Sequence, residues 1–394
     1  MHNYSSFSAS MSSLRRGRRL GSLDQPYSIQ PEKQKQNEDI DIELVHIIYT
    51  RFMQNQPNLV DLGKARLEVF RTFCLPSMVH QTSKNFLWII HTDPDLHFEV
   101  KQELIDLLSP YPNFLLVASN RYPSGFRENT GAMKELLQEG GLLSGDIDSA
   151  QMGYEAAQRW PVLETRLDAD DGLHNYFVEL IQKEEALYLG SQCGIGHVES
   201  SWRVWCAYTT IEWHWMNPFS LFDHDHDGAN GYVVGVVTPY CQTPGLTVGY
   251  CPETSFSDIP AGSHHRIHQL MPECPEDIKT SATGCLKRLK KLSPASIRSR
   301  TVTSHGMLNV RAEDGLVGEG YKLLEGQMEK QDDLWTGIEQ YMHIMTRNAS
   351  ETKKYMKEHL AAIAADNLKG QCTKGHSCKD STKTVLKNLA ATKT

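Results

Sequence analysis

Three carboxylates stand within four residues at Asp168-Ala169-Asp170-Asp171, directly after the strand-like run Val162 to Leu167. Like charges this close raise one another's pKa unless a cation neutralises them. A hard divalent ion, Mn2+ or Mg2+, does so, because both prefer oxygen ligands and keep substrate phosphate in the coordination shell. In extended backbone alternate side chains share a face, so Asp168 and Asp170 can meet one ligand together. Asp171 then points elsewhere, where it can cap a helix expected from His174. The plainer reading is an acidic turn that only caps that helix; its place after a buried strand favours the metal.

Such a turn needs a scaffold to hold it. Leu44 to Tyr49 reads as a buried strand, and residues 62 to 80 as a helix with Leu67, Phe70, Phe73 and Cys74 at helical spacing and Pro76 near its end. Phe86 to Ile90 is a second strand, 97 to 108 a helix and Phe114 to Val117 a third strand. Three strand–helix units in succession predict an α/β fold with a mainly parallel central sheet flanked by helices. Ligands in such sheets bind beyond the carboxyl ends of the strands. Thr50-Arg51, Thr92-Asp93 and Asn120-Arg121 therefore converge on one crevice with the acidic turn.

A helix around 150 to 160 precedes the acidic strand, and another is expected from His174 to Leu187. Residues 188 to 260, rich in Gly, Trp, Tyr and Cys, read as strands and long loops; 313 to 347 and 350 to 366 read as helical. The domain reading is a disordered polar tail over 1–40, an α/β domain over 41–312 and a helical extension with a frayed tail over 313–394.

The bulk composition narrows the class. An apolar share of 40% and a charged share of 22% are those of a soluble globular protein. A net charge of −8 gives no basic field for nucleic acid, and the short runs Arg15-Arg16, Arg18-Arg19 and Lys287 to Lys291 read as solvated surface. No uninterrupted apolar stretch approaches the roughly 18 residues of a membrane span. The Ser/Arg-rich start, without an acid before Asp24, has some transit-peptide character, though a plain tail suits it better. The compartment stays open between cytoplasm and organelle lumen.

Nine cysteines are too few and too scattered for a disulfide-built scaffold. Cys74 reads as a core residue, and Cys241 and Cys251, flanking a Pro-Gly turn, as a bridge if the compartment oxidises. Cys372, His376 and Cys378 match no standard zinc spacing, and Asn348-Ala349-Ser350 is a glycosylation sequon only for a secreted chain.

Taken together, several blocks resemble the rhamnosyltransferase family of GT-A-type glycosyltransferases. They are His46 to Phe52, Phe73-Cys74-Leu75-Pro76-Ser77 with Gln81-Thr82, Asn85 to Ile90, and Thr165 to Asp171. Asn217 to Leu221 and His305 to Asn309 follow less closely, so the resemblance runs from about 45 to 310. It implies a GT-A-like nucleotide-diphospho-sugar transferase fold, a nucleotide-diphosphate sugar donor, a carbohydrate or other hydroxyl acceptor, and a divalent cation bridging the donor phosphates. Insertions such as Asp223-His224-Asp225-His226-Asp227 depart from the pattern and leave the acceptor open.

On this reading Asp168 and Asp170 hold the metal, with Asp168 also near the donor diphosphate. The resemblance offers His305 as third ligand, against His264, His265 and His268. Thr50, Arg51, Asp93 and Arg166 are the remaining nucleotide-sugar candidates. Arg51 can pair with phosphate or with Asp93, Asp93 can bind the nucleotide or cap the turn before Pro94, and Arg166 can support the carboxylates. A general base is needed if the anomeric centre inverts. Glu199, Glu212, Asp223, Asp225 and Asp227 are all available, and the sequence does not choose among them. Trp202, Trp205, Trp213 and Trp215 either stack on a sugar acceptor or fill the core. The rival functions are a metal-dependent nucleotidyltransferase or phosphohydrolase and a non-catalytic carbohydrate-binding scaffold. The absence of a P-loop sequence counts against a nucleoside triphosphatase.

Overall fold

The computed structural model describes residues 44–120, 133–134, 136–138, 140–193, 201–215, 232–237, 240–260, 264–275, 284–304, 322–329, 338–339, 342 and 349–373. The tail over 1–40, the sequon asparagine, His376 and Cys378 lie outside them. Among these residues thirteen strands form two sheets. They are β1 (Val45–Phe52), β2 (Leu87–Thr92), β3 (Phe114–Ala118), β4 (Leu142–Ser144), β5 (Val162–Arg166), β6 (Asp171–Leu173), β7 (Trp202–Ala207), β8 (Thr209–Trp215), β9 (Tyr232–Val237), β10 (Leu246–Tyr250), β11 (Cys285–Leu289), β12 (Ser296–Thr301) and β13 (Lys322–Glu329).

The larger sheet has the order β11-β7-β10-β5-β1-β2-β3-β4. β1 pairs in parallel with both β2 and β5, β2 with β3, and β7 with β11, whereas β10 and β4 run against their neighbours. The expectation of an α/β fold with a mainly parallel central sheet flanked by helices is met. Strand order reverses at β1, which sits between β2 and β5, and such switch points open a crevice beyond the strand ends.

Each face of this sheet is buried. On one side Ile48, Phe52, Trp88, Ile90 and Leu163 pack against α1 (Val60–Val69), α2 (Leu75–Val79) and α3 (Phe98–Leu108). On the other, Ile47, Ile89, Leu115 and Val248 pack with Ala150 and Ala157 of α4 (Ile147–Ala157). Both faces being apolar explains why the strands read as continuous hydrophobic runs without alternation.

A five-residue π-helical segment, Phe70–Cys74, joins α1 to α2, so the helical run extends to Val79 with Pro76 inside the first turn of α2. Proline donates no hydrogen bond, and the wider π turn absorbs the break that an α-helix interior would suffer. Leu67, Phe70, Phe73 and Cys74 are all fully buried, as their spacing predicts. The helix after the acidic turn, α5 (Phe177–Gln192), begins three residues later than expected from sequence.

The smaller sheet, β13-β9-β8-β12-β6, corrects one expectation. Residues 322–329, read as helical, form β13 because they pair antiparallel with β9, and that pairing overrides local propensity. The C-terminal helices α6 (Ala349–Glu358) and α7 (Leu360–Thr373) join the main core through Met356, Ile363 and Ala364. No helix among the described residues is long and apolar enough to cross a membrane.

The cysteines supply a second correction. Cys241 does not pair with Cys251: the bridges are Cys193–Cys251, Cys206–Cys241 and Cys274–Cys285. β10 lies between Cys241 and Cys251, and five extended residues at roughly 3.3 Å each exceed disulfide reach. Cys74 is a buried free thiol, as its helical position implies.

Two expected outcomes follow from these contacts. Non-reducing peptide mapping should return the three pairings above, and removing the Cys193–Cys251 bridge should cost about 2–4 kcal/mol in urea unfolding. His46 is 2% exposed and shares a 2.8 Å hydrogen bond with Thr165 Oγ1; burial pushes its pKa down to about 3. The folded state thus keeps His46 neutral while the unfolded chain protonates it below about pH 6.5. Its contribution is complete above that pH and is lost as pH falls toward 3. In His46→Gln the fall in unfolding free energy between pH 7 and 5.5 should therefore be shallower, by up to ~1.4 kcal/mol per pH unit.

Candidate functional site

The acidic turn is the passage between the two sheets: β5 ends at Arg166 in the larger sheet and β6 begins at Asp171 in the smaller. It lies at the carboxyl end of β5, beside β1, on the switch-point crevice. Leu167 N donates to Tyr49 O at 2.9 Å, extending the β1–β5 pairing to the edge of the turn.

Helix α2 and the π segment hold the turn from below. Cys74 Sγ lies 3.7 Å from Asp168 O as a weak donor, and Ser77 Oγ donates to Cys74 O at 2.8 Å. Gln81 donates through Nε2 to Ser77 O and His174 O, and its Oε1 accepts from Val178 N. Thr82 N donates to Asn175 O at 2.9 Å. The Cys-Leu-Pro-Ser and Gln-Thr blocks seen in the sequence therefore clamp residues 168–178 in place. Gly172 belongs to the same arrangement: a Cβ there would lie 3.0 Å from Ile297 Cγ2 and 3.4 Å from Phe73 O.

The three aspartates divide into two kinds. Asp171 is 4% exposed, and its Oδ1 accepts from Ser299 N at 3.1 Å. It binds the smaller sheet and caps no helix. Asp168 and Asp170 are half-buried, and among the described residues no hydrogen bond to either carboxylate from another residue is seen. Burial first, then Asp168, raises the Asp170 carboxyl above the ordinary range, against Arg66 and Arg300, which pull it down. Burial, then Asp170 and Asp168, raises Asp171 further.

Arginines surround the turn. Arg66, on α1, donates through Nε and Nη2 to Thr303 O and through Nη1 to Gln56 Oε1 at 2.7 Å. Burial lowers its pKa, while the charges of Asp170 and Asp168 hold it up. Sequence reading missed it, because a lone arginine in a helix carries no motif. Arg166 is within electrostatic reach of Glu164, Arg51 and Asp168, which brings Arg51 and Arg166 to the crevice with the acidic turn.

The remaining candidates fall in several places. Thr50 is fully buried, and its hydroxyl accepts from Trp88 Nε1 at 2.8 Å. Asp93 clasps two loops, accepting from Asn55 N through Oδ2 and from Asp95 N through Oδ1. Asn55 there has φ +59°, a conformation asparagine tolerates better than most residues. Glu212 is 3% exposed and paired with Arg298 at 3.0 Å and Arg300 at 3.4 Å. Trp202, Trp205 and Trp213 are buried. Glu199, Asp223, Asp225, Asp227 and His305 lie outside the described residues, as do the side chains of His265 and Trp215. His264 and His268 are among the described residues, and among these no three or more His, Cys, Asp or Glu side chains are grouped to hold a metal ion.

Two unspent carboxylates at a switch-point crevice fit a Mg2+ or Mn2+ that fills its shell with water and phosphate oxygen, since these ions commonly take only one or two carboxylates. Glu212 makes a measurable claim of its own. Replacing it by Gln leaves Arg298 and Arg300 without their shared carboxylate, and the loss in unfolding free energy should be about 3–5 kcal/mol by urea titration.

No curated protein matches the chain. Among solved structures, the chain is similar to "WbbM bifunctional glycosytransferase apo structure" at 14% identity with a TM-score of 0.20, over 55% of this chain and 33% of that one. The chain thus spans about a third of that protein's length. Residues 62–192 match the family described as "Putative rhamnosyl transferase". That range takes in most of α1, α2 to α5 and the acidic turn, and it leaves out β1 and the two C-terminal blocks of the resemblance. Over the segment that builds and clamps the acidic turn, this chain is similar to the rhamnosyl transferase family, and the similarity supports glycosyl transfer in general.

Proposed function

We propose that this protein transfers a glycosyl unit from a nucleotide-diphosphate sugar to a hydroxyl acceptor in the crevice beyond β1 and β5. One observation carries the reading. Of three clustered aspartates, one is consumed by the fold, while Asp168 and Asp170 at the switch point have no hydrogen-bonding partner among the described residues. Buried like charges are costly, and a fold that clamps them so firmly favours a cationic ligand. Asp168 and Asp170 are the residues to hold a divalent cation, Mn2+ or Mg2+. When bound, such an ion supplies Lewis-acid stabilisation to the departing diphosphate.

The chain's own groups set the rest. Arg51 and Arg166 offer positive charge at the strand ends, suited to the nucleotide side of the donor. Thr50 and Asp93 act indirectly in this scheme, fixing the end of β1 and the loop after it. Glu212 is too fully paired to serve as a general base without breaking two ion pairs, so that role is assigned to no described residue. The family match favours rhamnose as the sugar transferred. Three disulfides favour an oxidising compartment over the cytoplasm.

Thermal-shift titration with a nucleoside-diphosphate panel, with and without Mn2+, tests this directly. One nucleotide should stabilise wild type only with metal, by about 2.7 kcal/mol at a hundred times its Kd. Asp170→Ala should fold and lose that stabilisation. No shift with any nucleotide in folded wild type would sink the proposal.

A further inference from the structure

The acidic turn has a second wall. β12 runs antiparallel to β6, with Arg298 opposite Asp171, and in parallel with β8, with Arg298 opposite Glu212. Arg298, Glu212 and Asp171 therefore share one face of the smaller sheet, and Arg300, two residues along, shares it too. Continuing the β12–β6 register by two residues sets Arg300 beside the turn that carries Asp168 and Asp170.

Arg300 is held much less fully than Arg298. Arg298 Nη1 bonds Glu212 Oε1 at 3.0 Å; Arg300 Nη2 reaches the same oxygen only at 3.4 Å. The Arg300 side chain is 13% exposed, and its Nε is buried without an acceptor among the described residues. A buried donor without an acceptor costs free energy, and in a native fold it asks for a reason. The edge of a guanidinium formed by Nε and one Nη is the fork that takes two oxygens of a phosphate.

We propose that Arg300 is a donor-binding residue, its guanidinium taking the diphosphate from the side of the smaller sheet, across from Asp168 and Asp170. This deepens the glycosyltransferase reading and rests on it. The chemistry favours diphosphate over a single phosphate. A phosphate bound to a cation at the aspartate pair leaves further oxygens, and a second phosphate supplies the charge that a separate arginine can meet. Arg298 suits this role less, because Glu212 holds it at 3.0 Å against 3.4 Å for Arg300.

Calorimetric titration in Mn2+ of UDP, GDP, CDP and dTDP, each against its monophosphate, reads the assignment. Wild type, Arg300→Gln, Arg300→Lys and Asp170→Ala are compared, with folding checked by circular dichroism. Arg300→Gln should weaken the bound diphosphate about tenfold and leave the monophosphate within about twofold, so the ratio of the two affinities collapses. Arg300→Lys should recover part of that ratio. If Arg300→Gln does not fold, the ratio in Arg300→Lys decides. A fall in both affinities together, or in neither, while Asp170→Ala still abolishes metal-dependent binding, overturns the role of Arg300 and spares the glycosyltransferase reading. Failure of wild type to bind any of the diphosphates overturns that reading and the inference with it.

Discussion

Asp171 fixes the point where the chain enters the smaller sheet. Its backbone starts β6 and its carboxylate accepts from Ser299 N on β12, so the chain leaving β5 is captured by the smaller sheet within five residues. Between those fixed points Asp168, Ala169 and Asp170 have little freedom. Their carbonyls and neighbours are held from the other side by Cys74, Ser77 and Gln81. The carboxylates of Asp168 and Asp170 project from a backbone that is anchored on both flanks. Precision of this kind is what an electrostatic site needs, since preorganised charge loses little to reorganisation when the ligand arrives.

The same anchoring explains why the site is electrostatically tense yet stable. Five arginines surround three aspartates and two glutamates near the turn, and Arg298 and Arg300 pair directly with Glu212 on the smaller sheet. Arg66 spends its donors on Thr303 O and Gln56. It acts on the aspartates through charge, not contact, and so lowers the cost of their proximity without blocking them. The arginines on α1 and β12 are close to the turn only because two separate layers converge there.

Much of the scaffold was legible in sequence. Buried strands β1, β2 and β3 announced themselves as apolar runs, and Leu67, Phe70, Phe73 and Cys74 as a helical stripe, because one-dimensional periodicity records burial directly. The acidic turn was legible because three like charges rarely follow a strand by accident. What stayed hidden were features set by long-range pairing. β13 owes its form to β9, the disulfides to strands brought together by the fold, and Arg66 and Arg300 to elements far from residue 168 in the chain. Thr50 and Asp93 show the opposite limit: their position at strand ends was evident, but their hydrogen bonds to Trp88 and Asn55 were not.

The C-terminal helices reach back to this region as well. Asn367 on α7 donates to Val302 O at 2.7 Å and Ser304 O at 3.2 Å, around the carbonyl that anchors Arg66. Asp366 accepts from Asp61 N across 305 residues of chain. On the ribosome, synthesis through β12 completes both strands that flank the acidic turn, but the segment after β12 acquires its clasp only once residue 367 has emerged from the exit tunnel. A nascent chain that stops short of residue 367 therefore lacks the clasp that Asn367 places on residues 302 and 304.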